Sequence, residues 1–171
     1  SLRDCQSRIR AMTRIHETLY QSRDLAGIDF AHYLEGLTAD LLSSFGIHPR
    51  DIAIEIEVAP VRFGLDVAIP CGLIVSELVA NSLEHAFDRT KPNVNHRVRI
   101  ALQPGPAKTC TLSVRDNGIG LPPDLDFRNT ESLGLQLVTT LTEQLGGRIE
   151  LHRNGGTEFS LCFVMEGAVR T

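Results

Sequence analysis

One stretch decides how this chain is organised: Asp116-Asn117-Gly118-Ile119-Gly120-Leu121-Pro122. It follows an alternating run, residues 111–115, which predicts a strand with one buried face. The glycines after the strand tolerate positive φ and let another group approach the backbone closely. The Asp116 carboxylate only accepts hydrogen bonds at neutral pH, so it suits a ligand with an N–H donor. The plainer interpretation is a strand-to-loop turn, because Asp-Asn-Gly is also good turn chemistry.

An apolar stretch upstream, residues 69–87, predicts a helix with Pro70 in its first turn. At about 100° per residue, four apolar side chains gather on one side of it: Val75, Val79, Leu83 and Ala86. A narrow polar stripe lies opposite: Glu77, Asn81, Glu84 and His85. This stripe is either the solvated side of an amphipathic helix or a binding face, and its lack of Lys and Arg favours binding. An amide oxygen flanked by Glu and His suits Mg²⁺, a cation that prefers oxygen ligands.

A third stretch, Ser132-Leu133-Gly134-Leu135, begins another predicted helix. Ser132 is its candidate N-cap, and Gly134 leaves N–H groups of the first turn open to an anion. Four residues form its predicted buried stripe before Gly146 ends it: Leu137, Val138, Leu141 and Leu145. The preceding segment, residues 122–130, is rich in Pro, Asp and Asn and lacks periodicity, which predicts a mobile flap.

From residue 51 onward, alternation of apolar and polar side chains predicts strands. The alternating runs are residues 52–58, 98–102, 112–114, 149–151 and 159–165, with a Gly155-Gly156-Thr157 turn between the last two. One polar face implies a sheet covered on one side only. The predicted fold class is therefore α+β, a two-layer α/β sandwich with helices on one face of a mixed sheet.

The first 45 residues predict a helical hairpin. Its first helix carries apolar residues at spacings of three and four: Leu2, Cys5, Ile9, Met12, His16 and Leu19. The second has Asp29 as its cap and Gly46 as its stop, with an apolar stripe of Phe30, Leu34, Leu37, Leu41 and Phe45. His16 is either a packed core histidine or a chemically active one beside Glu17.

Composition limits the class of protein. For 171 residues we expect one domain with an appendage, and a net charge of −4 gives no reason to expect nucleic-acid or membrane-surface binding. No apolar run approaches the about 18 residues of a membrane span, and four scattered cysteines predict buried thiols in a reducing, cytoplasmic setting: Cys5, Cys71, Cys110 and Cys162. The chain starts with Ser1 rather than Met, so we expect a piece of a longer protein, whose membrane anchoring stays open.

These stretches, in this order, resemble the Bergerat-fold (GHKL) ATPases and, within them, bacterial sensor histidine kinases of two-component systems. Glu-Leu-Val-Ala-Asn at 77–81 resembles their N box, and Asp-Asn-Gly-Ile-Gly at 116–120 their first glycine box. Ser-Leu-Gly-Leu at 132–135 resembles the second glycine box, and Gly-Thr-Glu-Phe at 156–159 the motif that completes the adenine pocket. Residues 8–20 resemble the dimerisation region of one kinase subfamily, where this region lies downstream of the phosphoacceptor histidine.

The resemblance implies roles for the matching residues. Asp116 accepts a hydrogen bond from the adenine amino group, which guanine lacks, and Thr157 lies beside the same ring edge. Asn81 holds Mg²⁺ on the triphosphate, while Glu77 orients the region of Asn81 or polarises the attacking group. The implied catalytic residues are Glu77 and Asn81. The implied ATP-binding residues are Asn81, His85, Asp116, Gly118, Gly120, Gly134, Leu135 and Thr157, with Asn81 as the metal ligand.

The implied function is transfer of the ATP γ-phosphoryl group to a histidine, for relay to a response-regulator receiver domain. Residues 1–46 are then a remnant of a homodimerisation region, and residues 47–171 the ATP-binding catalytic domain. Two alternatives stay open: an ATP-hydrolysing member of the superfamily with Glu77 as the base for water, and a non-catalytic docking module.

Two departures from the family pattern matter. Glu84 stands where the N box commonly has Lys. Either Arg89 or Arg128 replaces that cation, or nucleotide affinity is weak. None of the six histidines lies in the subfamily's phosphoacceptor motif: His16, His32, His48, His85, His96 and His152. We therefore expect the acceptor upstream of Ser1, with His16 as the minor alternative.

Overall fold

The computed structural model describes residues 27–88, 90 and 95–165, together with the separate positions 6, 9, 13 and 17. The elements of this part follow in chain order. They are β1 (Ile28–Asp29), α1 (Phe30–Ser44), β2 (Ile52–Val58), β3 (Arg62–Phe63), α2 (Leu65–Asn81), β4 (His96–Pro104), β5 (Thr109–Asp116), α3 (Leu133–Gln144), β6 (Arg148–His152) and β7 (Glu158–Val164). A π-turn, Ser82–Ala86, continues α2, and a short 3₁₀ turn, Pro106–Lys108, joins β4 to β5.

Five strands form one mixed sheet in the order β2-β4-β5-β7-β6. β2 pairs with β4 in parallel, with Ile54 opposite Val98, whereas the other neighbours are antiparallel. β1 and β3 pair separately as a two-residue ladder. The prediction of a mixed, mostly antiparallel sheet is confirmed.

The two faces of the sheet differ because successive side chains of a strand point to opposite sides. The face under the helices is apolar and buried: Val98, Ile100, Leu102, Leu112, Val114, Phe159, Leu161 and Phe163. The opposite face carries an open depression lined mainly by polar residues: Arg99, Ala101, Gln103, Thr111, Ser113, Arg115, Glu158 and Ser160. α2 packs between α1 and α3 over the apolar face. The predicted α+β sandwich, covered on one side, is confirmed.

Helix α1 forms as its caps predict. The Asp29 carboxylate accepts from the His32 N–H at 3.1 Å, and Gly46 after the helix has φ +63°. Its apolar side packs into the same core as the sheet, with the Phe30 ring 5.0 Å from the Phe63 ring. The predicted division of the chain at residue 46 stays a prediction. The partner helix of the hairpin, His16 included, lies outside the described residues except for four helical positions.

Helix α2 corrects two expectations. It begins at Leu65, so Pro70 lies inside the helix rather than in its first turn. A proline there removes the N–H that would reach the carbonyl four residues back, and its ring crowds that carbonyl, at a cost of about 3 kcal/mol. Burial of most of the helix offsets this cost. Contrary to the expectation of no span-like run, Leu65–Ala86 is long and apolar enough to cross a membrane by length and composition. However, 67% of the apolar window is buried inside the fold, and core helices pass the same test.

The cysteines correct a third expectation. Cys71 and Cys110 are buried, and burial, followed by the nearby Cys110, raises the pKa of the Cys71 thiol. Cys162 is exposed instead, because the alternation of β7 turns its neighbours Leu161 and Phe163 inward. Cys5 lies outside the described residues.

Candidate functional site

A cavity of about 210 Å³ lies where the end of α2, the end of β5 and the start of α3 meet. Its apolar lining consists of Leu78, Ala86, Val114, Leu121, Leu125, Leu135 and Phe159. Its polar lining consists of Asn81, Ser82, His85, Asp116, Thr130, Ser132 and Thr157, and Gly120 completes the set. Pockets that hold a whole drug-sized ligand run from about 300 to 1,000 Å³. The enclosed space therefore suits one flat ring system, with the rest of a longer ligand at the mouth.

The Asp116 carboxylate is the most constrained polar group of the cavity. It is 3% exposed, and its Oδ1 accepts from the Gly118 N–H at 2.9 Å and the Thr157 N–H at 3.2 Å. The Ser82 hydroxyl lies 3.0 Å from its Oδ2. A carboxylate offers about four acceptor positions, so three protein donors leave one for a ligand. The site is thus built to receive one hydrogen-bond donor at the bottom of an apolar cavity.

Ser82 is a site residue that the sequence analysis missed. Its hydroxyl also lies 3.2 Å from the Leu78 carbonyl, and since it carries one proton it donates to one acceptor at a time. Its position directly after Asn81 is a weak signal for a site residue. No local pattern links it to Asp116, because 34 residues separate the two.

Two glycines allow the backbone to close around the carboxylate. A Cβ on Gly118 would overlap the carbonyl of Ala86, and that carbonyl accepts from the Ile119 N–H at 2.9 Å. A Cβ on Gly156 would overlap the carbonyl of Asp116, and the φ of Gly156 is +130°. These close approaches bring the end of α2 and the turn before β7 against the end of β5.

The end of α2 differs from the predicted helix. The α-helix stops at Asn81 and continues as the π-turn Ser82–Ala86, after which Phe87 is extended. Such turns occur frequently at functional sites because they re-aim the side chains they carry. Here Asn81 and three residues of the π-turn line the cavity: Ser82, His85 and Ala86.

The structure brings together most of the predicted site residues. Those that line the cavity are Asn81, His85, Asp116, Gly120, Leu135 and Thr157. Gly118 lies behind Asp116 against the π-turn, and Gly134 is buried in the first turn of α3. Glu77 is 6% exposed, one helical turn before Asn81, and is not part of the cavity lining. Their roles toward a ligand stay predictions.

The Asn81 side chain supplies the protein oxygen that suits a metal ion at this cavity. Asn81 lines the cavity with an amide, and His85 Nε2 lies 3.7 Å from Glu84 Oε2. Among the residues that the structure describes, no group of three or more His, Cys, Asp or Glu is arranged to hold a metal ion. Mg²⁺ commonly uses one or two protein oxygens together with substrate phosphates and water, so this donor set fits it.

Two arginines were candidate replacements for the missing N-box lysine, and the one that the structure describes, Arg128, does not line the cavity. Arg128 donates to the Ile149 carbonyl at 2.9 Å, lies 4.7 Å over the Phe127 ring and lines a different cavity. Arg89 lies outside the described residues. Within the described ranges, no Lys or Arg lines the 210 Å³ cavity, and His85 is the one lining side chain that can carry positive charge.

The predicted flap forms one side of the cavity. We call residues 122–131 the wall loop; as predicted, it contains no helix or strand. Phe127 is 5% exposed and meets Phe159 edge-on at 5.4 Å, while Arg153 donates to the Leu125 carbonyl at 2.7 Å. The loop is thus anchored to the turn after β6 and to β7, and its mobility stays a prediction.

Helix α3 follows the wall loop. Its cap is confirmed, since the Ser132 hydroxyl accepts from the Leu135 N–H at 3.5 Å, and Gly146 after it has φ +61°. Its buried side differs from the predicted stripe and consists of Gly134, Leu135, Val138, Leu141 and Thr142. Leu137 and Leu145 are half-buried, because the helix turns its Leu135 side toward the cavity.

Two family models match the chain. Residues 66–167 match the family described as histidine kinase-, DNA gyrase B-, and HSP90-like ATPase. Residues 1–45 match a family described as histidine kinase.

Two curated proteins similar to this chain are named as histidine kinases. The chain is 30% identical over 148 residues to blue-light-activated histidine kinase 2 of Erythrobacter litoralis, covering 81% of this chain and 41% of that protein. It is 34% identical over 92 residues to sensor histidine kinase PdtaS of Mycobacterium tuberculosis, covering 52% of this chain and 18% of that protein. The chain therefore spans less than half the length of these relatives.

Solved structures share the fold. The histidine kinase domain of the Erythrobacter litoralis EL346 blue-light-activated histidine kinase matches with a TM-score of 0.80 at 24% identity, covering 94% of this chain and 74% of that one. The ATP-binding domain of PrrB from Mycobacterium tuberculosis matches with a TM-score of 0.58 at 20% identity, covering 78% and 91%.

Proposed function

Because this chain belongs to the family of histidine kinase-, DNA gyrase B- and HSP90-like ATPases, we propose that it is the catalytic, ATP-binding part of a sensor histidine kinase. It transfers the γ-phosphoryl group of ATP to a histidine, which passes the group to the receiver domain of a response regulator. The match of residues 1–45 to a histidine kinase family supports the kinase over other members. The observation that carries the proposal is the buried Asp116 carboxylate, which has one acceptor position left in an apolar cavity.

Recognition of the base rests on that acceptor position. The adenine amino group donates to Asp116, and apolar side chains such as Leu135 and Phe159 cover the ring. Guanine presents an oxygen where adenine has the amino group, which would leave a buried carboxylate facing another acceptor. Sites built around such a hydrogen bond reject the mismatched ligand strongly. Thr157 lies beside the edge of the adenine ring that carries the amino group, because the Thr157 N–H donates to the same carboxylate, Asp116.

The triphosphate extends from the ring toward the mouth of the cavity. Asn81 would hold Mg²⁺ there, and the metal would supply positive charge against the phosphates. His85 and the first turn of α3, through Ser132 and Leu135, line the same cavity and would be partners of the phosphate oxygens. Gly134 is buried in that turn and would leave room for its N–H groups. With no Lys or Arg lining the described part of the cavity, Mg²⁺ supplies more of the positive charge than in a site with the usual lysine.

Phosphoryl transfer depends mainly on positioning and charge neutralisation, so the site needs no nucleophile of its own. Glu77 is buried one turn before Asn81 and outside the cavity lining, which supports a role in orienting the helix end. A role as base for water is less well supported, because a base must reach the reacting group. This geometry favours the kinase over the ATP-hydrolysing alternative.

The remaining assignments follow from the same proposal. The acceptor histidine lies in a part of the longer protein that this chain does not include. Residues 1–46 contribute to a homodimer, and the catalytic part acts in the cytoplasm. Among the described histidines, His96 has both ring nitrogens buried, which makes it unsuitable as an acceptor.

Calorimetric titration of the 171-residue chain with ATP tests nucleotide binding. We expect ATP to bind, to bind more tightly with Mg²⁺, and to bind at least about tenfold more tightly than GTP. Asn81→Ala should remove the gain from Mg²⁺ and keep the metal-free affinity. No binding at millimolar ATP with Mg²⁺ would contradict the proposal and favour the docking module.

A second measurement separates kinase from ATPase. The chain is incubated with γ-labelled ATP and a helical hairpin that carries an acceptor histidine of this kinase subfamily. Acid-labile phosphate on the hairpin supports the kinase. Steady release of inorganic phosphate without any phosphoprotein supports the ATPase instead.

A further inference from the structure

The wall loop separates the nucleotide cavity from a second, larger space. Leu125 lines the cavity of about 210 Å³ and also a cavity of about 480 Å³ on the other side of the loop. The second cavity is lined by residues 123–128 and 150–153. At Leu125 the wall is therefore a single residue thick, with open space rather than packed core behind it. Because no packed core supports Leu125 from behind, its position depends on hydrogen bonds and ring contacts made by the wall loop and its neighbours.

Arg153 makes one of those contacts across the second cavity. Its guanidinium donates to the Leu125 carbonyl at 2.7 Å, and its side chain lines the second cavity but not the nucleotide cavity. Three other contacts hold the loop: Arg128 donates to the Ile149 carbonyl, Phe127 packs against Phe159, and the Gln136 amide of α3 donates to the Thr130 carbonyl at 2.8 Å. Gln136 acts at the end of the loop next to α3, whereas Arg153 is the tether from outside the loop that acts at Leu125.

The same arginine begins the turn that completes the base-binding floor. β6 ends at His152, and residues 153–157 lead to Thr157, whose N–H binds Asp116 at 3.2 Å. Arg115 also holds this turn, by donating to the Asn154 carbonyl at 3.1 Å. One five-residue turn therefore carries a donor to the carboxylate at one end and a tether to the wall at the other.

We propose that Arg153 is a positioning residue for nucleotide binding, which couples the wall at Leu125 to the turn that carries Thr157. This inference rests on the proposed function, since it takes ATP as the occupant of the 210 Å³ cavity. With the tether in place, Leu125 stays against the bound ring. Without it, Leu125 moves toward the second cavity, water reaches the ring, and the nucleotide leaves faster. Entry of the nucleotide is not slowed, because an open wall does not obstruct it.

The test compares Arg153→Met with the unchanged 171-residue chain. Methionine keeps an unbranched apolar stem and removes the donors. Stopped-flow displacement of a fluorescent ATP analogue, with Mg²⁺ present, should show a dissociation rate about 3–10-fold higher, as expected for one lost hydrogen bond of ordinary net strength, because water weakens this exposed contact. The association rate should stay within about twofold, since affinity changes at one interface fall mostly in dissociation. Arg153→Lys, which keeps a charged donor, should restore part of the loss.

Arg148→Met is the matched control. Arg148 lies on β6, is exposed, and its Nε lies 3.6 Å from Glu150 Oε1. Unlike Arg153, it does not line the second cavity. Its removal should leave both rates unchanged. Hydrogen exchange supplies a readout that does not depend on nucleotide: in Arg153→Met, the wall-loop amides should exchange faster while those of β5 and β7 do not.

The outcomes separate this inference from the proposed function. If the unchanged chain binds ATP and Arg153→Met has the same dissociation rate, Arg153 is not a positioning residue. Faster exchange throughout the sheet, without rescue by Arg153→Lys, also overturns the inference, because the effect is then a general loss of stability. If the unchanged chain does not bind ATP, the proposed function fails, and the inference fails with it.

Discussion

The floor and the wall of the nucleotide cavity are built in different ways. The floor consists of Asp116 with Ser82, Gly118 and Thr157, which hold its buried carboxylate through three hydrogen bonds. The wall loop, residues 122–131, is held by two arginine contacts to backbone carbonyls, by the Gln136 amide on the Thr130 carbonyl, and by one buried ring, Phe127. The floor is built on the end of β5, whereas the wall lies outside the sheet. On the proposed function, we expect base recognition to be rigid and closure over the nucleotide to be adjustable.

Energetics support this distinction. Buried donors and acceptors are expensive to leave unpaired, so each floor contact constrains the others. Exposed contacts compete with water and contribute less, so the wall can open locally at a small free energy. The following changes test whether floor and wall respond separately.

The largest effect is expected from Gly156→Ala in the floor. A Cβ there overlaps the Asp116 carbonyl, and φ +130° already strains any side chain. Left-handed strain together with overpacking should lower the free energy of unfolding by about 2–5 kcal/mol. Urea denaturation measures it. Gly155→Ala is the control, because φ is +68° but nothing lies within 4 Å, and about 1–2 kcal/mol is expected. Equal losses for both would show that the close approach to Asp116 does not matter.

Asp116→Asn should nearly abolish ATP binding. Its oxygen keeps the Gly118 and Thr157 N–H donors, so the new NH₂ group faces the adenine amino group, donor against donor. The Ser82 hydroxyl tolerates the change, because it can donate to the Leu78 carbonyl and accept from the NH₂ group. Loss of the matched acceptor should weaken ATP by about 100-fold or more, measured by calorimetry. Asp51→Asn, the same change of charge at an exposed loop position, should leave affinity unchanged. If Asp116→Asn binds ATP with wild-type affinity, the floor does not recognise the adenine base.

Phe127→Ala tests the wall and should have the smallest effect. Removing the ring that packs on Phe159 lets the wall open, so ATP should bind about tenfold more weakly, the scale of one aromatic contact with its burial. Hydrogen exchange should rise in the wall loop, and the free energy of unfolding should fall by less than about 1 kcal/mol because the wall opens without the sheet. Phe127→Leu keeps an apolar anchor and should lie in between. If Phe127→Ala destabilises the chain as much as Gly156→Ala, floor and wall form one cooperative unit.

Much of the fold was predictable from residues close together in the chain. The run at 52–58 became β2 with the same bounds, Asp29 and Ser132 cap their helices, and Gly46 and Gly146 end them. Several features were not predictable. Helix α2 begins at Leu65, but because the helix is largely buried and apolar, its start was placed at Pro70 instead. Cys162 was expected to be buried, but the alternation of β7 turns it outward.

The candidate site was predicted in part. Asp116, Asn81 and Thr157 were identified because each lies in a motif with its own local chemistry, and all three line one cavity. Ser82 was missed because its partner lies far along the chain. Arg128 was one of two candidates for the missing cation and does not line the cavity; nothing in the sequence says that its guanidinium meets the Ile149 carbonyl.

The sequence by itself determined the strands, the helices and their caps, since these depend on residues a few positions apart and on a periodicity that burial imposes. Only the tertiary structure decided that the end of α2 becomes a π-turn, that Gly156 presses against Asp116, and that Arg153 reaches Leu125. Those contacts join segments tens of residues apart. They exist because the sheet and its helices bring the segments together, and no local preference encodes that closeness.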